Sequence, residues 1–150
     1  MPILTYTQSY DTTAEWLFAL IRQPAEMVAL APPELGLEWE QGPEQPEVGD
    51  TYTVQAQRWG LRTRIVTEVV GCRPPEYWEE RQIRGPLAKW QRVIELRPQE
   101  GGIQWWERIE FAPPGGLLGL NLTLARLEAD IRHGWDYTHQ QINIRLNENR

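Results

Sequence analysis

The sequence predicts an α+β domain in which a seven-stranded, curved antiparallel sheet is closed by one long C-terminal helix, with two short helices between strands one and two. Three observations predict it. Along the chain the periodicity changes in a definite order, from one strand-like run to a short helical pair, six alternating runs and a long helical pattern. The alternating runs are broken by Gly- and Pro-containing turns at hairpin spacing. The last segment carries apolar residues at steps of three and four over roughly 25 residues, about 38 Å of helix and enough to cross a whole sheet.

Taken in order, Ile3 to Tyr10 alternates and is rich in Thr and Tyr, the composition of a half-buried strand. Thr12 and Glu15 stand at capping-box spacing ahead of Trp16, Leu17, Leu20 and Ile21, an apolar helical face. Pro24 disfavours helix in the residue before it, so the first helix ends near Gln23. The same Pro24 suits the first position of a second helix through Leu30, which Pro32 and Pro33 stop. Leu35 to Trp39 reads as the second strand, and a Pro- and Gly-rich loop follows from Gly42 to Gly49. Tyr52, Val54 and Ala56 alternate with polar residues up to Trp59-Gly60. A two-residue turn there places Val54 opposite Ile65 and Tyr52 opposite Thr67. Tyr77 to Arg84, Leu87 to Arg97 and Ile103 to Phe111 are the remaining strands, separated by Gly85-Pro86 and by Pro98 to Gly102. Past Pro113-Pro114-Gly115-Gly116, the stripe Leu120, Leu124, Leu127, Ile131, Trp135, Thr138, Ile142 and Leu146 defines a helix from about Leu117 to Leu146. Gly134 inside it costs roughly 1 kcal/mol relative to Ala, and close approach of helix to strand would explain its presence.

Composition narrows the function. A chain of 150 residues with 41% hydrophobic residues and eight Trp is one folded domain, spanning residues 1–150. Its net charge of -6 makes nucleic acid an unsuitable partner. Cys72 is alone, which excludes an intrachain disulfide framework. Met1 to Tyr10 has neither the basic start nor the apolar core of a signal peptide, and no apolar run has membrane-spanning length; a soluble, cytoplasmic protein is expected. His133 and His139, six apart on a helix, do not share a face, so no metal is expected. No dinucleotide or Walker glycine pattern calls for a cofactor.

Several segments together carry a family resemblance. Pro74-Pro75-Glu76-Tyr77-Trp78, then Gln82-Ile83-Arg84-Gly85-Pro86-Leu87 with Trp90, then Phe111-Ala112-Pro113-Pro114-Gly115-Gly116-Leu117-Leu118-Gly119 before a long helix, resemble the polyketide cyclase/dehydrase-like branch of the START and birch-pollen-allergen-like (SRPBCC) superfamily. The resemblance covers essentially the whole chain. It implies a helix-grip fold with an internal cavity for lipids, sterols, polyketides, quinones or other largely apolar molecules, and catalysis in some members only. Family members often carry His two positions after the Trp, where this chain has Arg92, and Arg in the terminal helix near Thr138. Contacts made by those family residues do not transfer.

Strand register points to one polar constellation. If Gly85-Pro86 pairs Arg84 with Leu87, Glu79 lies opposite Arg92; if the next hairpin pairs Leu96 with Ile103, Arg92 lies opposite Glu107. Glu79, Arg92 and Glu107 then form one row on the concave face beside Trp90 and Trp105, unless a one-residue bulge flips the face. Two readings of the row stand. Arg92, held by carboxylates, presents donors to a ligand carbonyl or carboxylate, or the three groups close on one another with no ligand role. The expected ligand-binding set is Tyr52, Val54, Ile65, Tyr77, Trp90 and Arg92 from the first part of the sheet. Trp105, Glu107, Ile109, Leu124, Leu127 and Ile131 complete it.

The favoured function is binding, with transport as its extension, of a hydrophobic or amphipathic small molecule in that cavity. The first alternative is a cyclase- or dehydratase-like enzyme, with Arg92 stabilising an enolate and Glu79 or Glu107 moving protons. The second is an interaction module whose protein partner is undefined.

Overall fold

The computed structural model describes residues 2–58 and 60–149. β1 (Ile3–Tyr10) leads into α1 (Ala14–Ile21), α2 (Pro24–Ala29) and a single 3-10 turn at Pro33–Leu35. Five of the remaining strands are long: β3 (Thr51–Arg58), β4 (Leu61–Arg73), β5 (Tyr77–Arg84), β6 (Lys89–Gln99) and β7 (Gly102–Ala112). β2 (Glu38–Gln41) is short, and α3 (Leu118–Asn121) precedes the long α4 (Leu124–Glu148). All seven strands form one antiparallel sheet in the order β1-β7-β6-β5-β4-β3-β2, so the first strand closes on the last. Two register irregularities between β4 and β5 are bulges, with Ile83 the extra residue on β5 opposite Val66 and Thr67 and Val70 the extra residue on β4 opposite Glu79 and Glu80, and bulges bend a strand and raise its local twist.

Local chemistry moves several boundaries. The cap of α1 is Thr13, not Thr12: its hydroxyl accepts from the Trp16 amide at 3.2 Å, leaving Thr12 outside the turn. Leu35 belongs to the 3-10 turn rather than to β2, because Gly36 takes a left-handed conformation (φ 61°) and directs the chain into the strand two residues later. Thr123 caps α4 through the Arg126 amide and separates α3 from it, so the terminal helical segment is two helices. On α4 the buried residues are Leu127, Ile131, Trp135, His139, Ile142 and Leu146, whereas Leu120 and Leu124 are exposed.

Hairpin turns decide which side chains face the helix. Arg58 pairs with Leu61, Val54 with Ile65 and Tyr52 with Thr67, as expected; Trp59, half of that turn, lies outside the described residues. Between β6 and β7 the turn is Glu100-Gly101, with Gly101 at φ 84° and Gln99 paired to Gly102. That places Leu96 opposite Trp105 rather than Ile103, a displacement of two residues that preserves every face. Between β5 and β6 the ladder stops at Arg81 opposite Gln91, and the wider loop is closed by the Gln82 amide donating to the Leu87 carbonyl at 2.7 Å. Glu80 therefore lies opposite Arg92, one residue from the expected Glu79, and an odd displacement exchanges faces.

The concave face and the helices bury two apolar clusters. One gathers Leu17, Phe18 and Ile21 of α1 with Trp78, Ile94, Trp105 and Ile142; the other joins Ile109 and Phe111 to Leu122, Leu127, Ile131 and Trp135. Among the described residues no helix is long and apolar enough to cross a membrane.

Candidate functional site

A pocket of about 330 Å³ lies between the concave sheet and α4, with α2 and the 3-10 turn on one side. Its sheet wall includes Tyr52 and Val54 of β3, Ile65 of β4, and Trp90 and Arg92 of β6. β7 adds Trp105, Glu107 and Ile109, and α4 adds Leu127 and Ile131. Each of these stood in the expected set. At the rim, Arg58 donates through Nε and Nη2 to both oxygens of Asp130, at 3.0 and 2.8 Å, and so pins the β3–β4 hairpin to α4.

Three expected residues are elsewhere. Tyr77 and Glu79 lie on the opposite face of the sheet from Trp78 and Glu80. There the Tyr77 hydroxyl donates to Glu79, pushing the phenol pKa up to about 12, and the ring covers Gly71 so closely that a Cβ would come within 2.9 Å of it. Gln91 donates to the other Glu79 oxygen at 2.8 Å, so Glu79 is removed from Arg92 altogether. Leu124, in the first turn of α4, is 43% exposed and does not line the pocket. It sits ahead of the buried stripe because the cap at Thr123 starts the helix there.

The floor of the pocket is charged. Arg92 Nε lies 3.4 Å from Glu80 Oε1 and 3.4 Å from Glu107 Oε2. Glu107 also accepts from two indoles, Trp105 Nε1 at 3.0 Å and Trp135 Nε1 at 2.8 Å, while Glu80 accepts from the Tyr52 hydroxyl. Burial and the adjacent Glu80 raise the Tyr52 pKa well above that of an ordinary phenol, which keeps it a donor. For Arg92 burial opposes the charge, but the fields of Glu107 and Glu80 outweigh it and raise its pKa. The carboxylates are sealed at 4% side-chain exposure each, whereas the Arg92 side chain is 20% exposed. Its Nε is buried without a hydrogen bond, and its terminal nitrogens form none among the described residues. Arg92 is thus held by charge but has donors to spare, and it belongs to the lining of the pocket.

Beside this floor sits His139, buried against Tyr6, Tyr10 and Trp105, with Nδ1 sharing a hydrogen bond with the Tyr10 hydroxyl. Burial, reinforced by Arg92, lowers its pKa to about 3, so the imidazole is neutral. Above about pH 6.5 the residue is uncharged in both folded and unfolded chains. As pH falls from there toward 3, only the unfolded chain gains the proton, so stability declines by about 1.4 kcal/mol per pH unit and levels off below the folded value. Urea unfolding of the wild type and of His139→Gln between about pH 6.5 and pH 4 should show a steeper loss in the wild type; parallel profiles would refute the buried neutral imidazole. His133, by contrast, is exposed and pairs with Glu34 at 3.1 Å. Among the described residues no three His, Cys, Asp or Glu side chains are grouped to hold a metal.

Sequence reasoning missed Glu80, Trp78, Trp135 and His139 as pocket residues. The last two carried a signal: His139 stands four residues after Trp135 and three before Ile142, squarely on the helical stripe. Trp78 and Glu80 carried none, since their face depends on where the β5–β6 ladder stops.

No protein-family description matches the chain, and no curated protein matches it either. Solved structures do. A Rhodobacter sphaeroides protein aligns over 97% of this chain and 93% of its own, with a TM-score of 0.71 at 16% identity. A Chromobacterium violaceum protein aligns over 93% and 92%, with a TM-score of 0.69 at 14% identity. Ara h 8.0201, a Bet v 1 allergen, aligns over 93% of each chain, with a TM-score of 0.66 at 14% identity. The fold is the Bet v 1-like helix grip. The likeness concerns architecture: in the helix grip of this chain, as expected, the sheet curls about a long terminal helix and two short helices separate β1 from β2.

Proposed function

We propose that the chain, as one domain over residues 1–150, binds a hydrophobic or amphipathic small molecule, such as a lipid, polyketide or quinone, between the sheet and α4. The observation that supports this reading is an apolar pocket of about 330 Å³ whose lining includes a guanidinium, Arg92, with no hydrogen bond to the described residues. Ligand pockets have this character, largely apolar with a few placed polar groups, and start at about 300 Å³. Burial of ligand surface at roughly 25 cal/mol per Å² would supply most of the affinity, and Arg92 the orientation. The net charge of -6 keeps nucleic acid outside the proposal.

Gly134 provides the test. It lines the pocket, and a Cβ there would make one ordinary van der Waals contact, with Leu35 Cδ1 at 3.8 Å, and would meet no strand. Gly134→Ala should therefore raise stability by about 1 kcal/mol through helix propensity, measured by urea unfolding. Gly134→Leu should fill the pocket from the helix side and weaken binding of the dye N-phenyl-1-naphthylamine about tenfold or more, as expected when one large side chain takes a ligand's place. A folded Gly134→Leu protein that binds the dye as the wild type does, or a wild type that binds none, would remove the pocket as the functional site.

A further inference from the structure

The charge balance of the floor narrows the ligand class. We infer that the pocket selects an apolar molecule carrying one neutral hydrogen-bond acceptor, a ketone, quinone, ester or amide carbonyl, and rejects the corresponding carboxylate; this rests on the binding function proposed above.

Two acidic side chains, Glu80 and Glu107, contact a single guanidinium at 3.4 Å. The local formal charge is therefore negative even though the group a ligand touches is a cation. A carboxylate docking on Arg92 would place a third anion beside two buried ones, where low polarity strengthens repulsion. Neutralisation of Arg92 is already complete, so the anion gains little that a neutral acceptor does not. A cationic ligand fares no better. It would meet the accessible guanidinium first, because the two carboxylates are 4% exposed and turned toward Tyr52, Trp105 and Trp135. What remains is an acceptor without charge, which satisfies the terminal nitrogens of Arg92 and leaves the balance unchanged. Among the described residues the remaining wall gives no competing anion site: the other guanidinium lining the pocket, Arg58, is engaged by both oxygens of Asp130.

Three probes of one size and shape separate the possibilities: 2-acetylnaphthalene, 2-naphthoate and 2-ethylnaphthalene, each titrated in competition with N-phenyl-1-naphthylamine at neutral pH. The ketone should bind about tenfold or more tightly than the hydrocarbon, the gain expected of a hydrogen bond to a charged donor. The carboxylate should bind more weakly than the ketone by at least as much. In Glu80→Gln, where the amide oxygen can still accept from Tyr52, one negative charge is gone and naphthoate should recover most of its deficit. Naphthoate binding as tightly as the ketone in the wild type would overturn the inference while leaving the pocket function intact. Equal binding of ketone and hydrocarbon would do the same. Failure of all three probes, and of the dye, would count against the binding function itself. The wild-type ranking decides the matter without the variant if Glu80→Gln does not fold.

Discussion

Replacing Arg92 with methionine is expected to destabilise the fold by about 3–5 kcal/mol, the usual cost of removing one partner from a buried ionic group. The methionine fills similar volume, so the loss is electrostatic: Glu80 and Glu107, each 4% exposed, are left facing each other across the site with no cation between them. Adding Glu80→Gln to Arg92→Met should restore a substantial part of the loss, because one of the two unbalanced carboxylates is then gone. Urea unfolding of the wild type, both single variants and the double variant gives the coupling directly. An Arg92→Met protein within about 0.5 kcal/mol of the wild type, the range of an ordinary surface substitution, would mean that the carboxylates do not depend on the guanidinium. The site as described would then be wrong.

Trp105→Ala should be comparably severe, at about 3–5 kcal/mol for truncating a fully buried aromatic. Trp105 is 0% exposed, its ring meets the His139 ring edge-on at a centroid distance of 4.7 Å, and its indole donates to Glu107 at 3.0 Å. The truncation therefore opens a cavity and takes a donor from a buried carboxylate at once. Trp105→Phe separates the two losses. It keeps most of the ring and removes only the N–H, for an expected cost of about 1–3 kcal/mol. If alanine and phenylalanine cost the same, packing at this position is irrelevant and the helix does not bear on the sheet through Trp105.

Both predictions depend on features of unequal legibility in the sequence. The β3–β4 register was readable because a two-residue turn leaves no freedom: once Arg58 pairs with Leu61, every later pair follows. In β6 and β7 the Arg92–Glu107 contact survived an error of two residues, since alternation repeats every second residue and both side chains kept the concave face. Glu79 did not survive an error of one. The loop at Gly85-Pro86 is wider than a tight turn, and the Gln82 side chain that closes it bonds a backbone carbonyl five residues away. No local preference announces that closure. Leu124 failed for a different reason. Periodicity extends backward without limit, whereas the helix begins where Thr123 finds an amide to cap.

From residue order alone come the seven strands, the helical pair, the long closing helix and an interior rich in Trp, because side-chain period and turn chemistry act over a few neighbours. The tertiary structure alone decided which carboxylate meets Arg92, that two indoles from β7 and α4 converge on Glu107, and that Gly134 faces a pocket instead of a strand. Each of these joins elements far apart in the chain, and whether two such side chains meet depends on the parity of a hairpin and the rotation of a helix, which the neighbouring residues do not encode.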